Sequence, residues 1–229
     1  MASIEEAQAW IRLSLVSGVG SENQRKLLAR FHSPQAIFSA PVRELSSCIG
    51  AKLASQLLNQ NSSQLIEKTT YWLQAAYNQV ITLADAEYPQ SLLQSDDPPL
   101  LLYVKGDSDL LQKAAFAIVG SRNASVQGVE DAQNYAASLA KQGLAIVSGL
   151  ALGIDSAAHQ GALKAAGSTV AVIGTGIDRI YPASNSQLAH DIAEHGVIVS
   201  EFPLGSPPLP ANFPRRNRII AALSLVAWW

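Results

Sequence analysis

The second half of this sequence predicts an α/β fold with a parallel sheet covered on both faces, preceded by a small all-α region. Three observations carry that. Residues 114–199 alternate short, near-continuous apolar runs with amphipathic stretches at helical spacing, the pattern of strands buried on both sides between helices. Three of the four apolar runs lead into loops rich in Gly, Ser or Thr. The first 60 residues instead carry an internal repeat at an offset of 30, in which Leu15, Val19, Gly20, Leu27 and Leu28 match Leu45, Ile49, Gly50, Leu57 and Leu58.

Each repeat copy reads as an apolar helix end, a glycine turn and a second helix with a Leu-Leu anchor, which is a helix-hairpin-helix. Such a unit either offers backbone N–H groups at a helix N-terminus to a phosphate or serves as a packing module. Cys48 replaces the first glycine in the second copy, and no basic cluster accompanies either one. Leu65, Ile66, Thr69, Trp72, Leu73 and Ala76 predict one more helix. The breaker-rich stretch from Glu87-Tyr88-Pro89 to Asp96-Asp97-Pro98-Pro99 reads as a connection, and Leu100–Val104 as a short strand ended by Gly106. Then come the strand Phe116–Val119, the helix Ser125–Gln142, the strand Leu144–Val147 and the helix Asp155–Ala166. The strand Thr169–Ile173, a helix from about Ser184 to His195 and the strand Val197–Val199 follow. The expected organisation is a helical domain over residues 1–78, a connecting segment with short strands over 79–110, and a Rossmann-like, doubly wound domain over 111–229.

Composition narrows the function. Nearly half of the 229 residues are apolar (48%) and 15% are charged, which supports a sizeable core. The acidic start has no apolar signal segment, no apolar run spans a bilayer, and Cys48 is the single cysteine, so a cytoplasmic setting is expected. The histidines and the lone thiol show no metal-ligand spacing, and neither a metal nor a cofactor is expected. The net charge is −2, yet the last 25 residues hold Arg215, Arg216 and Arg218 with no acid. All the excess positive charge is in that segment.

In doubly wound sheets ligands sit outside the carboxyl ends of the strands. Those ends read Gly120-Ser121-Arg122, Ser148-Gly149, Gly174-Thr175-Gly176 and Ser200-Glu201-Phe202-Pro203. The first three suit N–H and hydroxyl donors facing an anion. No G-x-G-x-x-G order and no acid after the second strand supports a dinucleotide cofactor, and no elbow or triad supports a hydrolase. Asp155 is read as a helix N-cap, His159 as a packed or hydrogen-bonded histidine, and Glu201 as a strand-end acid with nothing to pair with it. In Phe213-Pro214-Arg215-Arg216-Asn217-Arg218, Pro214 fits the first position of a helix continuing through Ile219, Ile220 and Leu223. Three arginines at a helix start oppose its macrodipole, which makes sense if an anion sits there; Phe213 then offers a face for a base. The alternative is a solvated basic helix start with Phe213 buried.

Taken together, Ile118-Val119-Gly120-Ser121-Arg122, Ser148 to Asp155 with Ala158-His159, Ile173-Gly174-Thr175-Gly176 with Tyr181-Pro182, Ser200-Glu201-Phe202-Pro203 and Phe213 to Arg218 closely resemble the DprA/Smf family of DNA-processing proteins. The resemblance covers essentially the whole chain. It implies a SAM-like helical domain ahead of an extended Rossmann fold, no enzymatic activity, and a role in natural transformation through protecting incoming single-stranded DNA and loading RecA recombinase onto it. Arg122 and the Phe213–Arg218 segment would line the DNA pocket, and a homodimer would be possible. The family continues past Ala221-Ala222-Leu223-Ser224 with further elements, so the Rossmann-like domain is expected to be incomplete after Leu225-Val226-Ala227-Trp228-Trp229. The rival readings are a nucleotide-processing hydrolase of the phosphoribohydrolase type and a structural adaptor acting through the helical repeats.

Overall fold

The structure, a computed structural model, describes residues 4–165 and 168–228; Ala166, the expected end of one helix, and Trp229 lie outside the described residues. The first six helices are α1 (Ile4–Ser14), α2 (Ser21–Phe31), α3 (Pro34–Ser39), α4 (Val42–Ile49), α5 (Ala51–Asn59) and α6 (Ser63–Trp72). The repeat folds as two helix–turn–helix units, α1–α2 and α4–α5, whose matched anchors Val19, Leu27, Leu45, Ile49 and Leu57 are all buried. Local chemistry sets the boundaries. Ser33 Oγ accepts the Ala36 N–H at 3.2 Å ahead of Pro34, and α2 ends at His32 in the left-handed region, its N–H returning to Leu28 O.

The rest comprises β1 (Asn78–Thr82), α7 (Gln90–Leu93), β2 (Leu101–Gly106), β3 (Ala115–Ile118), α8 (Val126–Lys141), β4 (Ala145–Ser148), α9 (Ile154–Ala165), β5 (Thr169–Val172), α10 (Ser186–His195), β6 (Val197–Ser200), α11 (Asn212–Ala222) and β7 (Val226–Trp228). They form one sheet in the order β1-β2-β6-β5-β4-β3-β7. β3 to β7 run parallel, as expected, but β1 pairs antiparallel with β2 and β2 antiparallel with β6. The sheet is therefore mixed. β1 and β2 are joined without a crossover along the sheet edge, a connection that only antiparallel strands permit.

Strand order decides where a ligand can sit. From β3 the chain steps outward through β4, β5 and β6 by the crossovers α8, α9 and α10, then returns through α11 to place β7 on the other side of β3. Steps in opposite directions put their helices on opposite faces. Accordingly Val147, Val170, Val172, Val197 and Val199 pack with Ile219, Ile220 and Leu223 of α11. Ile118 and Ile146 pack with Ala132, Ala136, Ala158 and Ala162 of α8 and α9 on the reverse side. The N-terminal helices join that reverse side: Trp10, Ile11, Leu13 and Leu57 share a core with Leu101, Tyr103 and Ile198. Among the described residues no helix is long and apolar enough to cross a membrane.

Most strand and helix ends shift by one or two residues from the sequence expectation, and one such shift bears on the site. α11 begins at Asn212 rather than Pro214. Pro214 is then the third helical residue, still within the first turn, where no intrahelical acceptor awaits an N–H and proline costs nothing.

Candidate nucleic-acid interface

The reversal of strand order between β3 and β7 opens a crevice beyond the carboxyl ends of β3 and β4, and α11 forms its far wall. A hollow of about 260 Å³ there is lined by Val119, Gly120, Arg122, Ala151, Asp155, Phe213, Arg216, Asn217 and Ile220, among others. A smaller one of about 50 Å³ adds Gly149, Leu152, Tyr181 and Pro182. The two share Arg122, Ala151, Phe213 and Arg216, so they make one groove. The larger volume is below the ~300–1,000 Å³ typical of small-molecule pockets. This shape suits an extended ligand laid across the mouth better than an engulfed substrate.

The groove floor holds two buried charges of opposite sign, Asp155 and Arg216, each bonded to backbone groups rather than directly to the other. Asp155 sits in the first turn of α9, but its carboxylate does not cap that helix. It accepts the N–H of Gly149 at 3.1 Å, of Ala151 at 3.4 Å and of Gly120 at 3.4 Å. The backbone donors expected to face an external phosphate thus already face an internal carboxylate. Arg216 is buried beside it and donates through Nη1 to Gly149 O at 2.6 Å and to Val172 O. Burial pushes the Asp155 carboxyl up from its ordinary value, opposed by the Arg216 charge and the three N–H groups. Burial likewise lowers Arg216, opposed by Asp155. Two backbone positions make this approach possible. A Cβ at Gly149 would lie 2.3 Å from Arg216 Nη1. Gly153, at φ +75, has Ser121 O 2.2 Å from where its Cβ would be. Between them Leu150 is itself at φ +57, a strained conformation that the surroundings must hold. His159 supplies the hold: Nε2 accepts the Leu150 N–H at 3.3 Å. Its Nδ1 faces Thr169 Oγ1 at 2.7 Å, and that hydroxyl donates onward to Ile146 O. Burial lowers the imidazole to about 3, so it is neutral.

Above this floor the mouth is aromatic and cationic. The half-buried Phe213 ring has the Arg122 guanidinium carbon 5.6 Å from its centroid and the exposed Tyr181 ring at 5.8 Å, tilted 44°. Asn212 Nδ2 ties the start of α11 to Gly174 O at 3.0 Å.

The sequence-predicted residues divide accordingly. Gly120, Arg122, Gly149, Phe213, Arg216 and Asn217 meet in the groove, with exposed Ser121 at its rim. Gly174, buried, lies under the Phe213 ring. Ser148 and Thr175 do not present donors to the mouth. Both hydroxyls are buried and donate inward, to Ile118 O and Arg179 O, while the Gly176 N–H goes to Ser206 O. The expectation that these strand ends form an open rim of donors is therefore corrected, because closing each loop consumes them. Arg215 and Arg218 lie on the opposite side of α11, and Glu201, expected to be unpaired, receives both, Arg215 at 3.0 Å and Arg218 at 2.5 Å. The sequence reading missed Tyr181 as a groove residue; its Tyr-Pro pair was the available signal. Among the described residues no group of three His, Cys, Asp or Glu could hold a metal.

Fold and site define a Rossmann-type α/β protein with a cationic, aromatic-edged groove at its topological switch point. Residues 79–227 match the model of the family described as DNA recombination-mediator protein A, and the chain belongs to that family. It is 38% identical to protein Smf of Synechocystis sp. and 36% identical to protein Smf of Escherichia coli, over 98% and 96% of this chain respectively. It spans 58% of the length of each. The X-ray structure of DNA processing protein A from Streptococcus pneumoniae superposes with a TM-score of 0.82 at 33% identity, covering 96% of this chain and 76% of that one. A Helicobacter pylori DNA processing protein A structure, described for its unique single-stranded DNA binding mode, gives 0.60 at 36% identity over 65% and 67%.

Proposed function

We propose that the switch-point groove binds single-stranded DNA, without catalysis, as part of DNA processing in transformation. The observation that carries this is the mouth itself: an accessible Phe213 face between Arg122 and Tyr181, above the buried Arg216 and Asp155. An unpaired base can stack on Phe213 while its phosphates meet Arg122; in a duplex the base faces are already stacked and closed to the ring. The DNA-binding description of the Helicobacter pylori relative supports the same assignment. The residues proposed to contact DNA are Ser121, Arg122, Tyr181, Phe213 and Asn217, with Gly120, Gly149, Gly174 and Arg216 shaping the groove. RecA recombinase as the partner that receives the coated strand, a homodimer, and a cytoplasmic site of action belong to the same proposal. The hydrolase alternative lacks a carboxylate at the groove free to act, since Asp155 is buried under three N–H groups and Glu201 is held by two arginines.

The test is fluorescence anisotropy of a labelled oligothymidine and a matched duplex over a range of salt. Preference for the single strand is expected, with a log–log salt slope of about −0.7 for one exposed arginine at the groove, at ~0.7 per phosphate. Equal affinity for both forms, or release of free base from nucleoside monophosphates, would refute it.

A further inference from the structure

Five charged side chains outside the groove form one connected chain. At the N-terminus of α2, Ser21 Oγ donates to Asp97 Oδ1 at 2.7 Å, and Arg25 Nη1 meets the same oxygen at 2.7 Å. Arg218 Nη1 donates to Asp97 O at 2.5 Å and Nε lies 3.4 Å from Asp97 Oδ2. Its Nη2 reaches Glu201 Oε2, which Arg215 also contacts. The Glu201 side chain is 2% exposed, and its other oxygen has no hydrogen-bond partner. A carboxylate buried at that cost and satisfied on one side only fits a role in fixing geometry rather than in adding stability.

The helix it meets needs fixing. α11 has no side-chain cap and no acid in its first turn, which closes on Arg215, a cation where the macrodipole favours an anion. Glu201, on the rigid end of β6, and Asp97 supply the missing negative charge from outside the helix. Residues one apart on a helix differ by about 100°, so a small rotation of α11 that released Arg218 would also carry Phe213 and Arg216 away from the groove.

We propose that Glu201 and Asp97 are positioning residues for the DNA groove. They lock the rotation of α11 through Arg218, and the N-terminal helices brace the binding site through the Arg25–Asp97 end of the chain. This rests on the single-strand reading above. It assigns the helical region a mechanical part in binding that requires no DNA contact of its own.

The test uses the full chain with Glu201→Gln and, as a milder change, Asp97→Asn. Oligothymidine affinity, binding stoichiometry and salt slope are measured alongside hydrogen exchange of the α11 amides. Expected are roughly three- to thirtyfold weaker binding, unchanged stoichiometry and salt slope, and faster exchange in α11. Unchanged affinity with reduced stoichiometry would show a purely structural role, and tighter binding with a steeper slope would show carboxylates competing with phosphate. Either outcome overturns the brace. Should the wild-type chain bind no single strand, that reading fails by itself, and unaltered α11 exchange in the variants would then overturn the brace. If Glu201→Gln does not fold, Asp97→Asn decides.

Discussion

The two faces of α11 carry the same residue type to opposite ends. Phe213, Arg216, Asn217 and Ile220 line the groove, whereas Arg215, Arg218 and Ile219 face away from it, toward Glu201, Asp97 and the apolar core. Both sets follow i, i+3, i+4 spacing, so a run that reads as one basic cluster is split by helical geometry into a groove wall and a tethered flank. A count of arginines therefore overstates the charge available to a phosphate backbone. Arg216 is buried on the Gly149 and Val172 carbonyls, and Arg218 is shared between Glu201 and Asp97. Arg215, though more than half exposed, is bound to Glu201 at 3.0 Å and lies over the Phe202 ring, so it too is partly committed.

The sharpest way to break this division is Arg216→Ala. It leaves the Gly149 and Val172 carbonyls without their donor and Asp155 without the opposing charge, and should cost about 1–3 kcal/mol of stability for each carbonyl, read from denaturant midpoints. A loss below 1 kcal/mol would show that Arg216 belongs with the surface arginines. The floor of the groove should next reveal itself through pH. His159 titrates near 3 in the folded chain, below its ordinary ~6.5, so the unfolded chain takes up the proton first. The stability it contributes is complete above ~6.5 and is lost as pH falls toward 3, by about 1.4 kcal/mol per unit. Replacing His159 with Asn should remove that slope relative to wild type. The flank has the opposite sign: burial raises Glu201, so acidification through its folded value favours the folded state. The wild-type-minus-variant difference cancels this term.

On binding, Phe213→Ala should weaken oligothymidine affinity by ~1–3 kcal/mol at unchanged salt slope, and Arg122→Ala should flatten that slope by about 0.7. An unchanged slope would remove Arg122 from phosphate contact. The smallest effect belongs to the flank's exposed edge, where Arg215→Ala should change stability by no more than ~1 kcal/mol. A larger loss in thermal unfolding would mean that the flank carries the fold rather than steadying one helix.

Much of the architecture was legible because strands buried on both faces must be almost wholly apolar. Phe116–Val119, Thr169–Ile173 and Val197–Val199 stood out on that ground, and the Gly20/Gly50 repeat announced the helical region. β1 was not legible: Asn-Gln-Val-Ile-Thr is short and half polar, and its strand conformation comes from pairing with β2. A groove does lie at the strand ends, yet the donors expected around it were miscounted. Loop sequence shows that Gly149 and Ser148 have groups to offer, but only packing shows that Asp155 and Ile118 O already take them. Placing the helix start at Pro214 left Phe213 outside the helix and hid that it shares a face with Arg216 and Asn217.

The pairing of Phe116 with Val226 has a kinetic meaning. Closing so long an intervening loop is entropically slow compared with zipping β3 through β6, whose partners are nearer in the chain. During synthesis or refolding the four inner strands can consolidate while residues past 211 are still unplaced. Nucleic-acid binding should then emerge as the final event, lagging the burial of the central valines, and a stopped-flow experiment that follows both signals would see them separate in time.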